Sequence, residues 1–354
     1  MINKQAVAKN WKVLSAVIFL TSVIVVGSGY FQGVIAQTDT STASQQTSPG
    51  NDGTVGTSQN PSAQIAGGDA ALRQSFSFSH STFVQAGVGL RNVGSGTISV
   101  HIPTGAVLTK ALLYWTFLDS GTATAPATSN LATAYFNGEK ITGSRIATGA
   151  SPCWSDPNIY VYRADVTSTL VRRGGPISDQ YVSVTSAIVN ATSPWPSFAP
   201  IQQAESAHLI VVYKDPSEPT SSTTRIFDAT GSPGTITFSG TTTFTAPFAA
   251  AHVGGDIARV GYALADGQSV GNPQPNSKSF AWTSSPSAAT TTLNAGEMYG
   301  KDPSITSKAA FQGSLSDTEE YDVTSNTSGG DTSGVLTWNF GIDCLTTVYA
   351  AVTG

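Results

Sequence analysis

VLTKALLYWTF (Val107–Phe117), ATAYFNGEKI (Ala132–Ile141) and IYVYRADVTSTLV (Ile159–Val171) follow one another in the first half of the chain, and AHLIVVYKDP (Ala207–Pro216) reads as their partner. Successive side chains of an extended segment point to opposite faces. Leu112, Tyr114 and Thr116 therefore share one face, and Leu113, Trp115 and Phe117 the other. A strand apolar on both faces belongs between two covering layers, not at a wet edge. The expected fold is all-β, an antiparallel, jelly-roll-like β-sandwich. At 354 residues the chain is long enough for two such sandwiches packed consecutively.

Outward from that stretch the same pattern continues. SFSFSH (Ser75–His80) and TISVHI (Thr97–Ile102) alternate polar and apolar, as half-buried antiparallel strands do. YVSVTSAIV (Tyr181–Val189) follows, with Pro- and Gly-rich turns between the runs. A second series begins with TRIFDA (Thr224–Ala229) and TITFSGTTTF (Thr235–Phe244). It continues through ARVGYALADGQSV (Ala258–Val270), SFAWTS (Ser279–Ser284), VLTWNF (Val335–Phe340) and LTTVYAAV (Leu345–Val352). The one helical candidate is a short turn near Asn294–Gly300. Two echoes join the halves. ATAYFNGEKITG matches GYALADGQSVG as a strand, an Asn/Asp-Gly turn and a second strand, since both central positions of such a turn need φ > 0. RADVTSTL (Arg163–Leu170) matches EYDVTSNT (Glu320–Thr327). A structural duplication and chance recurrence in a Ser/Thr-rich chain both account for them. The organisation expected is a leader at 1–36, a linker at 37–64, a β-sandwich unit at 65–223 and a second at 224–354.

Lys4, Lys9 and Lys12 precede an apolar run from Val13 to Val26, and Val34-Ile35-Ala36 places small residues where a signal peptide is cut. Left uncut, residues 13–36 carry no charge and are long enough to span a bilayer. Both readings export the remainder. Residues 37–64 contain a single Val as their only large apolar residue, so that segment cannot bury enough surface to offset its ordering entropy and reads as a disordered tether. Charged residues are 11% of the chain against about 25% in ordinary globular domains, and Ser, Thr, Gly and Ala take their place. The net charge is −5, and removing the leader's lysines makes the balance more negative. A nucleic-acid partner needs a clustered basic surface, and none exists here.

Few residues suggest chemistry. Cys153 and Cys344 are the only cysteines, and an isolated pair in an exported chain favours a disulfide, the other reading being two separate thiols. Trp154 and Trp195 sit in Pro-rich turns (PCWSDP and SPWPS), where an aromatic ring either stacks on a sugar or pins its loop to the core. Trp115, Trp282 and Trp338 lie in strand patterns and belong to the core. Asp256 and Asp266 are acidic loop residues beside glycines. They are the candidates for calcium, which takes six to eight oxygens, and the alternative is turn capping. His80, His101, His208 and His252 lack metal-ligand spacing. No Gly-x-Ser-x-Gly elbow occurs, and Glu319-Glu320 would face opposite sides of a strand, so neither a hydrolase triad nor a glycosidase carboxylate pair is supported.

The order of strand, strand–Asn-Gly–strand, Asp-Val-Thr and strand resembles galactose-binding-like jelly rolls. The chain is also similar to an uncharacterised family of bacterial and archaeal secreted surface domains. The resemblance rests on Leu113-Tyr114-Trp115, Asn137-Gly138, Asp165-Val166-Thr167 and the Val211–Pro216 strand. Gly255-Asp256 and Gly329-Gly330-Asp331 follow in the same order. It covers most of residues 105–354 and implies a cell-surface β-sandwich without catalytic residues. The expectation is a secreted or surface-tethered, non-catalytic structural or adhesive protein, the alternative a carbohydrate-binding module. Cell-surface glycans or other surface proteins are the expected partners.

Overall fold

The computed structural model describes residues 72–91, 93–119, 130–149, 158–172, 179–184, 202–216, 218, 220–230, 237–238, 241–266, 279–295, 316–340 and 345–354. The leader, the tether and the Asn294–Gly300 helical candidate beyond residue 295 lie outside them. Val107–Asp119 forms β4, and its alternating pattern holds as read. Ala111, Leu113, Trp115 and Phe117 enter one core while Leu112, Tyr114 and Leu118 enter another. Both faces of β4 are covered because its sheet lies between two others.

The first half builds eight core strands. Four of them, β2 (Thr82–Gly89), β10 (Gln202–Lys214), β4 and β8 (Asn158–Asp165), lie side by side, extended by β7 (Ser144–Gly149). The facing sheet is β3 (Ser95–Ser99), β9 (Asp179–Val184), β5 (Thr133–Phe136) and β6 (Glu139–Thr142) in that order. Counting core strands in chain order, the sheets read 1-8-3-6 and 2-7-4-5, the antiparallel Greek-key order of a jelly roll. The second half repeats it. One sheet holds β11 (Thr223–Ala229), β19 (Leu345–Thr353), β14 (Arg259–Asp266) and β17 (Ser316–Asp322), again 1-8-3-6. The other holds β13 (Thr241–Pro247), β18 (Ser333–Asn339), β15 (Ser279–Ser285) and β16 (Thr290–Ala295), again 2-7-4-5. A two-residue strand, β12 (Thr237–Phe238), pairs with β19. All pairings among the described strands are antiparallel.

Three cores separate the four layers. Trp115, Phe136, Tyr162 and Val182 fill the first jelly roll, and Tyr262, Phe280, Trp282 and Trp338 fill the second. The third lies between the rolls, where Phe83, Tyr114, Ile210 and Val212 meet Ile226, Val348, Tyr349 and Ala351. Trp115, Trp282 and Trp338 are fully buried, as their strand positions suggested. The strand β1 (Leu72–Ser79), inside the span 65–223 expected for the first unit, hydrogen-bonds to β11 and so extends a sheet of the second roll.

The duplication is physical as well as verbal. At the end of β8, Asp165 Oδ1 accepts the backbone N–H and the hydroxyl of Thr167, whose Oγ1 in turn accepts the Ala111 N–H at 2.9 Å. At the end of β17, Asp322 Oδ1 accepts the Thr324 N–H, and Thr324 Oγ1 accepts the Ala258 N–H at 3.1 Å. Val166 and Val323 donate backbone N–H to Ala111 and Ala258, and each plugs its own core. The Asp-Val-Thr echo is thus one device used twice, with Asp and Thr turning the chain out of a strand. In the first roll the turn opens a short helix, α1 (Thr167–Arg172), where the sequence pattern suggested strand as far as Val171. Two further features recur. A bulge in β10 sets Glu205 between the pairs Ala204–Phe117 and Ser206–Thr116, and another in β19 sets Val348 between the pairs Thr347–Leu264 and Tyr349–Ala263. Gly105 (φ +85°) and Gly255 (φ +93°) complete matching turns, with Ala106 N–H donating to Pro103 O and Asp256 N–H to Val253 O. The other echo fails. ATAYFNGEKITG forms the β5–β6 hairpin, whereas GYALAD belongs to β14, whose partners are β17 and β19. Asn/Asp-Gly after a short apolar strand is too local a signal to fix which strand comes next.

Candidate functional site

Polar side chains concentrate where the two jelly rolls meet. The inner sheets stack so that β2 lies against β17 and β10 against β14, with β4 facing β19 and β8 facing β11. First strand over sixth, and third over eighth, is the pattern of a pseudo-twofold contact. At one edge the Gln85 amide donates to Tyr262 O (2.9 Å) and Glu319 O (2.6 Å), and the Gln85 N–H donates to Glu320 Oε2 (2.9 Å). Gly261 makes room for that amide, since a Cβ there would stand 2.6 Å from Gln85 Nε2. Arg259 bridges Phe83 O and the Glu320 carboxylate, whose pKa burial raises and Arg259 pulls back. At the other edge Asp228 accepts the Tyr114 hydroxyl (2.7 Å) and pairs with Arg163, which lies over the Phe76 ring at 4.6 Å.

Between the edges runs a fully buried chain of hydroxyls and an imidazole. Thr116 Oγ1 bonds Ser206 Oγ (2.8 Å), Ser206 Oγ bonds His208 Nε2 (2.8 Å), and His208 Nδ1 bonds Thr318 Oγ1 (2.7 Å). Thr116, Ser206 and His208 come from the first roll, Thr318 from β17 of the second. Burial drives the His208 pKa down to about 3, so the ring is neutral across the physiological range. A serine bonded to a histidine suggests a nucleophile and its base. Here the ring's second nitrogen meets a threonine instead of a carboxylate, and Ser206 and His208 are both 0% exposed, so no substrate reaches either. The chain of hydrogen bonds satisfies buried polar groups across the seam, where an unpaired one would be costly. Arg91 and Glu205 form a second fully buried pair, with Glu205 supplied by the β10 bulge.

At one end of the second roll, a single carboxylate knits two turns. Asp331 accepts the Ser287 N–H (2.8 Å) and hydroxyl (2.8 Å) and the Ser328 N–H (2.7 Å), tying the β15–β16 turn to the approach of β18. Burial alone would raise its pKa, but those donors hold it below the usual carboxylate value. His252, in the loop before β14, donates its N–H to Asp331 O (2.7 Å), and its ring lies 6.1 Å from that of Phe248. The loops touch closely here: a Cβ on Gly329 would sit 3.2 Å from Gly254 N.

The sequence candidates fare unevenly. Cys153, Cys344, Trp154 and Trp195 lie outside the described residues. Asp256 Oδ2 accepts the Ser221 N–H (2.9 Å) and the Ser221 hydroxyl, the capping alternative for this residue. Asp266 ends β14, a strand of 8 residues that begins after Asp256, so about 23 Å of extended chain stands between them. They do not meet at one ion. Among the described residues no three His, Cys, Asp or Glu side chains converge as metal ligands, and no helix is long and apolar enough to cross a membrane. Of the histidines, His208 alone lies within a strand; His80 and His101 are exposed, and His80 bonds Thr220 O. The absence of metal-ligand spacing in the sequence did not single out His208. The available signal was Ser206 and His208 two apart in a strand apolar on both faces, where every polar group needs a partner.

The outermost sheets face solvent with few charges. On β3–β9–β5–β6 the described outward side chains are Ser, Thr and Lys140, which stands opposite Tyr135, with two exposed rings, Tyr135 (43%) and Tyr181 (49%). Tyr135 pairs in register with Ser183, so Tyr181 is its diagonal neighbour on the same face. On β13–β18–β15–β16, Thr243, Thr337, Ala281 and Thr292 run across all four strands in register.

No family model and no curated protein matches this chain. Among solved structures it is similar to the STIV MCP in its crystal structure, at 9% identity over 78% of this chain and 97% of that one, with a TM-score of 0.21. It is also similar to a chain of the Sputnik virophage, at 9% identity over 85% and 90%, TM-score 0.21. A third match is in the atomic structure of Sulfolobus Turreted Icosahedral Virus, at 10% identity over 78% and 90%, TM-score 0.21. Scores of this size do not establish a shared topology, and the jelly-roll assignment rests on the strand order itself.

Proposed function

We propose that this chain is an exported, non-catalytic protein of the cell surface, in which two jelly rolls act as one structural or adhesive body displayed on the 37–64 tether. The observation that carries the reading is the seam. The Ser206–His208 pair is sealed between the rolls, and the polar chemistry of the inner sheets is used to join them. Among the described side chains, the outer sheets present mainly Ser and Thr with few charges. The leader, with its basic start and apolar core, supports export. Fractionating producing cells and sequencing the mature N-terminus tests it. The expected result is a chain in the envelope or medium, starting at Gln37 or retained through residues 13–36. Full-length chain accumulating in the cytosol would refute export, and turnover of a substrate by the purified protein would refute the non-catalytic role. A carbohydrate-binding role is the second reading, favoured by the exposed rings of Tyr135 and Tyr181.

A further inference from the structure

We infer that β1 is an exchangeable strand whose alternative partner is a second copy of this chain. β1 of each copy pairs with β11 of the other, so that two copies are held together by the ladder that closes one. The inference goes beyond the surface role proposed above and does not depend on it.

Chain order and hydrogen bonding disagree at β1. Two residues, His80 and Ser81, join it to β2 of the first roll, yet it pairs with β11 of the second. The second roll reaches its eight-strand order without β1. In the first roll β2 closes its sheet with no strand beside it among the described residues. β1 is therefore an accessory to the jelly roll, seated at the end of a sheet, and none of its eight residues is fully buried. A ladder from Leu72–Ala229 to Ser79–Thr223, interrupted between Gln74 and Phe76, holds it in place. Leu72, Phe76 and Phe78 pack on the seam, and Phe76 meets Arg163 of the first roll. None of these contacts involves the link to β2, so a β1 arriving from another copy makes every one of them.

The link itself favours opening. His80 has φ +52°, in the left-handed region that is costly for a residue with a Cβ. Ser81 is anchored to the start of β11, its N–H donating to Ser222 O (3.3 Å) and its carbonyl accepting from Thr224 Oγ1 (2.9 Å). The pivot is thus His80. Two bonds oppose a swing there: Ser81 Oγ donates to Phe78 O (2.7 Å), and His80 Nδ1 bonds Thr220 O (3.1 Å). Opening returns His80 to extended backbone, and β1 then projects from β2. A short, strained link invites exchange of the element it carries. Reciprocal exchange about a twofold axis regains every β1–β11 contact and leaves no β11 edge open. At the opposite edge of the stack, side chains shut β2 against added strands. Glu320 accepts the Gln85 N–H there, and Arg259 donates to Phe83 O.

The test mixes two full-length versions of the protein, Ser77→Cys in one and Arg225→Cys in the other. The two positions stand opposite each other in the ladder, at a separation that a disulfide spans. After the versions are unfolded and refolded together at rising concentration, a disulfide between these positions should join two copies. Peptide mass spectrometry separates it from any bond of the native Cys153 and Cys344. Sedimentation of the wild-type protein should show a monomer–dimer equilibrium. His80→Gly relieves the closed link and should weaken the dimer about tenfold. His80→Pro, with φ fixed at about −65°, excludes the closed link and should tighten the dimer about tenfold or more. Both variants lose the ring's bond to Thr220, so that loss does not account for opposite shifts. If His80→Pro fails to fold by circular dichroism, the disulfide and the His80→Gly shift decide the matter. Absence of the disulfide from the mixed versions, a monomer at every concentration, or a dimer that His80→Gly leaves as tight overturns the inference.

Discussion

Replacing His208 with Gln and following stability against pH tests whether the seam is built around a neutral imidazole. In the unfolded chain a histidine titrates near 6.5, whereas burial holds the folded His208 at about 3. Between those values the unfolded chain binds the extra proton and the native state does not. Stability therefore rises with pH, and it is lost as pH falls below 6.5 at ~1.4 kcal/mol per unit. At pH 4.5 the wild-type protein should have lost about 3 kcal/mol through this residue alone, relative to neutral pH. His208→Gln gives up hydrogen bonds to Ser206 and Thr318, which costs roughly 1–3 kcal/mol at pH 7, but it has no proton to gain. The two stability curves should converge on acidification and cross near pH 5. Urea denaturation of both proteins from pH 4 to 8 measures this. Asp165, Asp331 and Glu320 also have shifted pKa values, but they are common to both proteins and cancel in the difference. Parallel curves across that range would show that His208 is hydrated or charged in the native state, and the sealed seam would be wrong.

Three further outcomes follow from the geometry. Thr167→Val and Thr324→Val remove the same strand-end hydrogen bonds from each roll, so each should cost about 1 kcal/mol in urea denaturation. Their effects should add to within about 0.5 kcal/mol, because the sites share no partner. Glu205→Ala removes the carboxylate paired with the fully buried Arg91 guanidinium, and a loss of about 3–5 kcal/mol in denaturation free energy is expected, against a smaller effect for Val348→Ile at the matching bulge. Asp256→Asn should lower the thermal midpoint slightly through Ser221, and neither calcium nor chelator should move the midpoint of the wild-type protein if the carboxylate is a turn cap.

Much of the architecture was written in local pattern. A strand apolar on both faces must lie between two layers, and β4, at the heart of the stack, does. The Asp-Val-Thr echo was legible because a carboxylate and a hydroxyl at fixed spacing make the same turn wherever a strand ends. The other echo misled for a related reason. An Asn/Asp-Gly turn describes four residues and says nothing of which strand lies beyond. The transfer of β1 onto the second roll was invisible, since an alternating segment shows which of its faces is buried but not against which sheet.

The seam lay furthest from view. By itself the sequence determined that the chain is pleated, layered and poor in charge, because those properties follow from side-chain periodicity and composition, whereas the duplication it left open was decided by the strand order. Only the tertiary structure decided that Ser206 and His208 meet Thr318 in the dark, while Tyr135 and Tyr181 stand together in the light. Thr318 lies 110 residues from His208 along the chain, and three strands, β6, β7 and β8, intervene in sequence between Tyr135 in β5 and Tyr181 in β9. Pairings at that range are set by which sheets stack and in what register, and no local pattern encodes them.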